Sequence, residues 1–147
     1  MTLELHRLQD LSIYYWLQDL MPAFVTVVDG FPDSDLVIPT VSIEAMDTWG
    51  DPFELGGLDQ KRRFWRIDVF AKNKSQRDDF ADYIFDQLEG NIPVYDYNEG
   101  FPPPTPTQIG ALKCLNRSNK TVYVFKELVR DLYWRRSITF QTEYETI

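Results

Sequence analysis

Among residue types that carry acid–base, nucleophilic or metal chemistry, the sequence has one histidine, His6, and one cysteine, Cys114. It also has one close-set group of acids in a glycine-rich stretch, Asp47, Asp51 and Glu54. A Ser-His-Asp or Cys-His arrangement needs a firmly held imidazole, and His6 stands near a terminus that will tend to fray. His-rich metal sites lack their ligands for the same reason. Cys114, in the apolar phrase ALKCL, reads as a small buried side chain rather than a nucleophile, which would need an electropositive, accessible setting. The three acids could form a carboxylate-only site for glycoside cleavage or Mg²⁺-dependent nucleic-acid hydrolysis. Their plainer reading is solvated loop acids. Neither standard glycine-rich phosphate loop is present. The expectation is a chain without cofactor, metal or enzymatic activity, with the carboxylate-metal hydrolase as the alternative.

The composition supports that direction. With 147 residues, the chain suits a single domain with one core. Net charge is −8, which disfavours non-specific grip on nucleic acid, since that depends on Lys and Arg neutralising phosphates. An acidic wall past which DNA slides is compatible with it. A single cysteine excludes an intrachain disulfide and points to a reducing compartment. Without a long apolar run or an apolar signal core, the expectation is a soluble product made in the cytosol, with no membrane partner. Aromatics reach 15%, enough to fill a core and still anchor contacts with partners.

The elements that would position these groups are legible from periodicity. In KRRFWRIDVFAK, Trp65, Ile67, Val69 and Ala71 alternate with Phe64, Arg66, Asp68 and Phe70, as in a half-buried strand. Ser75 stands at an N-cap position with Asp78 three residues on. Phe80, Ala81, Ile84, Phe85 and Leu88 then form a helical stripe ended by Gly90, and Ile92 to Tyr97 reads as a strand. Upstream, Leu3 to Leu20 reads as a helix stopped by Pro22. Its greasy residues, Tyr15 and Trp16 among them, lie on more than one side, so it either meets another subunit or sinks into its own core. Phe24 to Val28 and Leu36 to Ala45 are strands, Pro39 hinting at an edge or bulge.

Residues 47–58 and 98–108 read as protruding loops, the first with Trp49 and Phe53 and the second proline-rich with Phe101. Ile109 to Leu115 and Thr121 to Phe125 flank NRSNK as a hairpin. Val129 to Tyr144 is a long final strand whose apolar face is interrupted by Arg136, which needs a carboxylate at the core rim or on a neighbouring chain. The expected fold is α+β: a mostly antiparallel sheet packed by an N-terminal and a central helix in one domain.

This order of elements resembles the tail terminator and related head-to-tail joining (neck) proteins of tailed bacteriophages, over about Leu8 to Tyr144. The parts that carry the resemblance are a WxIDVFA-type strand running into a capped helix with an L-x-G stop, and the terminal RRSITFQTEYE strand. The proline-rich 102–106 segment and the aromatic N-terminal helix depart from the commoner pattern. The resemblance implies a small structural subunit of the virion that forms a ring, typically a hexamer. Such rings stack on the tail tube, join it to the head connector and let DNA pass. A stopper, an adaptor or a tail-completion subunit has a similar build. The resemblance further implies subunit contacts through Tyr15 and Trp16, through Trp49 and Phe53, and through Phe101 in the arm. Arg135 and Arg136 would meet the acidic helix of a neighbour.

Overall fold

The computed structural model describes residues 4–30, 37–52, 59–99, 107–122 and 134–146, with the backbone alone at 47–52, 59–61 and 99. The elements are α1 (Leu5–Leu20), β1 (Thr26–Asp29), β2 (Thr40–Pro52), β3 (Asp59–Ala71), α2 (Lys74–Gln87), β4 (Asn91–Tyr95), a 3-10 turn (Tyr97–Glu99), β5 (Gln108–Val122) and β6 (Trp134–Thr146). The strands form one six-stranded sheet in the order β1-β2-β3-β6-β5-β4. Among the described residues only the β1–β2 pair is parallel. The chain is thus a single α+β domain, richer in strand than in helix.

Register sorts the side chains onto two faces. Trp65 lies opposite Ala45 and Phe140, and Ile67 opposite Ile43 and Ile138, so the alternation of three central strands falls into phase. Apart from half-buried Ala45, these residues are buried, and α2 lays Ala81, Ile84 and Leu88 on the same core while α1 adds Leu8, Leu11, Ile13 and Leu17. Each fully buried aliphatic or aromatic side chain contributes about 1.5–3 kcal/mol relative to exposure. The opposite face carries Glu44, Arg66, Asp68 and Arg135.

α1 packs against β4 and against β1, which are opposite edges of the sheet. Both edges can reach one helix only because the sheet curls around it. The helix also satisfies edge backbone groups that no strand among the described residues pairs. Ser12 Oγ accepts from the Tyr95 amide at 3.1 Å, and Tyr14 Oη donates to the Val27 carbonyl at 3.4 Å. Ser12 and Gln9 are therefore buried polar residues with partners, the condition under which such burial is tolerated. One side of the helix lies in the subunit's own core, and Tyr15 and Trp16 are half-buried against that core.

Several expected boundaries move. Asn73, not Ser75, caps α2: in an extended conformation, its side chain accepts from the Gln76 amide at 2.9 Å, and Gln76 Oε1 accepts in return from the Lys72 amide. Pro39 precedes β2 rather than marking an edge within it, and the edge belongs to β1, whose Thr26 amide donates to the Pro39 carbonyl. β2 runs on to Pro52, so half of the expected 47–58 loop is strand paired with β3. NRSNK is not a hairpin turn. β5 stays on β6 to Val122 and absorbs the irregularity as a bulge between Leu115 and Ser118, with Asn116 at φ 51°, a value that asparagine tolerates in a bulge. Phe53, Glu54, Phe101 and residues 123–133 lie outside the described residues.

The close approach at Gly110 generates a prediction. A Cβ there would stand 2.5 Å from the Tyr144 ring and 2.6 Å from the Glu145 carbonyl, whereas at Gly90 the nearest atom is 4.0 Å away. Gly110→Ala is expected to lower unfolding free energy by about 1–3 kcal/mol in urea titrations, because backbone must shift to admit the methyl. Gly90→Ala, measured alongside, is expected to be neutral or slightly stabilising.

Candidate functional site

Of the residues whose types suggested chemistry, only His6 and Cys114 have described side chains. His6 contributes its backbone carbonyl, which accepts from Arg63 Nη1 at 3.1 Å. Burial pushes the Cys114 thiol up to about 12, so it is a protonated, unreactive thiol at neutral pH. Asp47 and Asp51 belong to the β2 backbone, with side chains outside the description, and Glu54 lies outside the described residues. Among the described residues no group of three or more His, Cys, Asp or Glu side chains is placed to hold a metal ion.

What the strands and helices do bring together is charge, in pairs. β3 is the centre of two such clusters because its alternation sends Arg63 to one face of the sheet and Arg66 and Asp68 to the other. On the helix side, buried Arg63 donates to Gln9 Oε1 at 3.1 Å and stands 2.9 Å from Asp10 Oδ1, off the angle of a hydrogen bond but at ion-pair distance. Its guanidinium also lies 4.4 Å from the Trp65 ring centre, and Trp65 Nε1 donates to Thr142 Oγ1 at 2.8 Å. The cluster ties α1 to β3 and β3 to β6.

On the other face, Asp68 is 1% exposed and both of its oxygens are engaged. Oδ1 accepts from Arg135 Nε and Nη2 at 3.1 and 2.9 Å, and Oδ2 lies 3.0 Å from Arg66 Nε. Arg66 continues to Glu44 at 3.3 Å. A buried carboxylate between two guanidiniums is the arrangement that compensates its desolvation, and removing one partner would leave an uncompensated charge. Arg136 reaches Asp78 and Asp82 of α2, each at 3.3 Å. The partners of Arg135 and Arg136 are therefore carboxylates of their own chain: a buried one on β3 and two on α2.

Each of Arg7, Arg62, Arg63, Arg66, Arg77, Arg117, Arg135 and Arg136 meets a carboxylate within the chain. That leaves lysines such as Lys113 and Lys120 as the exposed cations of the sheet. Such a surface has little with which to neutralise a phosphate backbone. No family model and no curated protein matches the chain. The described residues also leave large apolar side chains exposed. Phe24, 65% exposed, has its ring 6.2 Å from that of Phe80, and Val37 and Tyr83 are also exposed. No helix among the described residues is long and apolar enough to cross a membrane.

The internal ion pairs were legible one residue at a time. Arg136 announced itself by breaking an apolar face, whereas Asp68, next to Arg66 and Phe70 on the mixed face of its strand, gave no sign of its burial. The joining of Arg63 to α1 had no sequence signal, because its partners are more than fifty positions away.

Asp10 gives a pH-dependent prediction. Burial raises its carboxyl above the ordinary 3.8 in spite of the opposing attraction of Arg63. A raised folded value means that the ionised form costs stability at neutral pH, and that the cost disappears as pH falls through the folded pKa toward the unfolded one. Asp10→Asn is therefore expected to match or exceed the wild type in urea titrations at about pH 7, with the difference closing by about pH 3.5. Asp78 runs the other way, because the Arg77 hydrogen bond lowers its pKa, so its stabilisation is present at neutral pH and fades on acidification.

Proposed function

We propose that this chain is a structural subunit of a tailed-phage neck, a tail terminator that forms a ring between tail tube and head connector. The observation that carries the reading is the sheet itself. β2 and β5 run on well past the short strands that flank them, so long stretches of sheet edge have no flanking strand among the described residues. Open edges are a liability that solitary proteins blunt, and they are a resource for a protein that assembles. The element order supports the same reading, with a strand running straight into a capped acidic helix. So does the pairing of arginines with internal carboxylates, which leaves an acidic lumen past which DNA can slide.

In this reading the chain has no catalytic role. Its side chains hold copies together, and Trp49, on the strand that projects beyond β1, is an anchor for that contact. Tyr15 and Trp16 contribute through their half-exposed sides, and Phe101 through the proline-rich segment.

Light scattering on purified protein, alone and mixed with tail tubes, tests the assignment directly. Assembly beyond the 17.3 kDa monomer is expected, and monomer under both conditions would remove the ring. Trp49→Ala is expected to impair assembly while leaving the far-ultraviolet circular dichroism spectrum intact.

A further inference from the structure

The two uncovered stretches of sheet edge are matched. β1 flanks β2 from Thr40 to Ile43, and β4 flanks β5 from Gln108 to Lys113. Past those limits, Glu44–Pro52 and Cys114–Val122 are runs of equal length. Each has an inner neighbour in β3 or β6 and no strand on its outer side among the described residues. They lie at opposite ends of the sheet. One row across the strands reads Thr40, Phe70, Arg135, Val122, where β2 is flanked and β5 is not. Another reads Trp49, Arg62, Glu143, Lys113, where β5 is flanked and β2 is not.

We propose that Glu44–Pro52 of one copy adds as a strand to Cys114–Val122 of the next, joining neighbouring sheets edge to edge. The inference rests on the ring reading above and names the surfaces that make the ring. Charge favours this pairing over a like-with-like one. Glu44–Pro52 contains Asp47 and Asp51, besides Glu44 held by Arg66, and no base, whereas Cys114–Val122 contains Lys120, besides Arg117 held by Glu89 and the Phe85 carbonyl, and no acid. Two copies of the same run would set like charges opposite each other, which is destabilising. Because the two surfaces differ, the contact is head-to-tail, the type that closes into a ring when its rotation permits.

The backbone directions identify the groups involved. The Ile43 carbonyl accepts from the Gly30 amide, so Ile43 turns its polar groups outward, and alternation gives the same for Ala45. Ala45 opposes Trp65, and beyond the bulge Thr48 opposes Arg63, two residues along β3 from Trp65, so Thr48 also turns outward. Trp65 then turns toward β6, which makes Phe140 face β3 and Ser137 and Arg135 face β5. Their partners Lys120 and Val122 turn inward, and Thr121 between them turns outward. Thr48 and Thr121 each present an amide to the proposed seam. Proline at either position removes that donor without touching the inner ladder, the setting in which a strand tolerates proline.

Thr48→Pro and Thr121→Pro are made separately and sized where the wild type assembles. Each is expected to keep the wild-type circular dichroism spectrum and to be monomeric, because each loses one of the two surfaces. Mixed, they are expected to form a 1:1 dimer and nothing larger, since one intact edge of each kind remains. A single variant that assembles like the wild type, or a mixture of folded variants that stays monomeric, overturns the edge pairing while leaving the ring reading standing. A wild type that is monomeric at every concentration and on tail tubes takes both away. Amide exchange on the unaltered protein decides the matter if a proline variant does not fold: Thr48 and Thr121 are expected to slow by about tenfold or more on assembly. Unchanged exchange at both overturns the pairing.

Discussion

A curled sheet that does not close on itself leaves two edges, and each edge carries backbone amides and carbonyls that must find partners or water. In this chain one helix meets that constraint from both sides. α1 places Ser12 on the Tyr95 amide of β4 and Tyr14 on the Val27 carbonyl of β1, while Leu8, Leu11, Ile13 and Leu17 fill the space between. Arg63 then holds the helix to the middle of the sheet through Gln9, Asp10 and the His6 carbonyl. The apolar face of α1 does most of the stabilising, but apolar packing alone would let the helix slide along the groove. The short polar contacts fix where it stops.

The same economy governs the charged face. Asp68 is buried among Arg66 and Arg135, and Arg136 is held by the acids of α2. Such pairs add little net stability when compared with apolar packing, yet each would be costly to break singly. Their functional consequence is that the described arginines are spent inside the subunit. The surface that results is acidic, carries scattered lysines and exposes aromatics such as Phe24.

Periodicity carried the core of the fold into the sequence. The two faces of β3 were readable from Trp65, Ile67 and Val69 alternating with Arg66 and Asp68, and the buried stripe of α2 from Ala81, Ile84 and Leu88. Glycine, proline and asparagine misled where tertiary pairing overrode local preference. Gly50 and Pro52 made a loop of what β3 holds as strand, and Asn116 made a turn of what β6 holds as a bulge. The candidate contact residues divide in the same way. The arginines advertised a need for carboxylates, but distant register decided which ones. The uncovered edges had no signature at all, because they follow from β1 and β4 being short, a property of strand pairing rather than of any residue.

The bridging role of α1 is the claim on which the rest depends, and hydrogen exchange on the monomer with increasing urea tests it most directly. If α1 closes the curled sheet, β1 and β4 exchange only through the global opening that also releases β3 and β6, with the same urea dependence. Exchange of β1 and β4 by a local opening with little urea dependence, well before the central strands, would contradict the account.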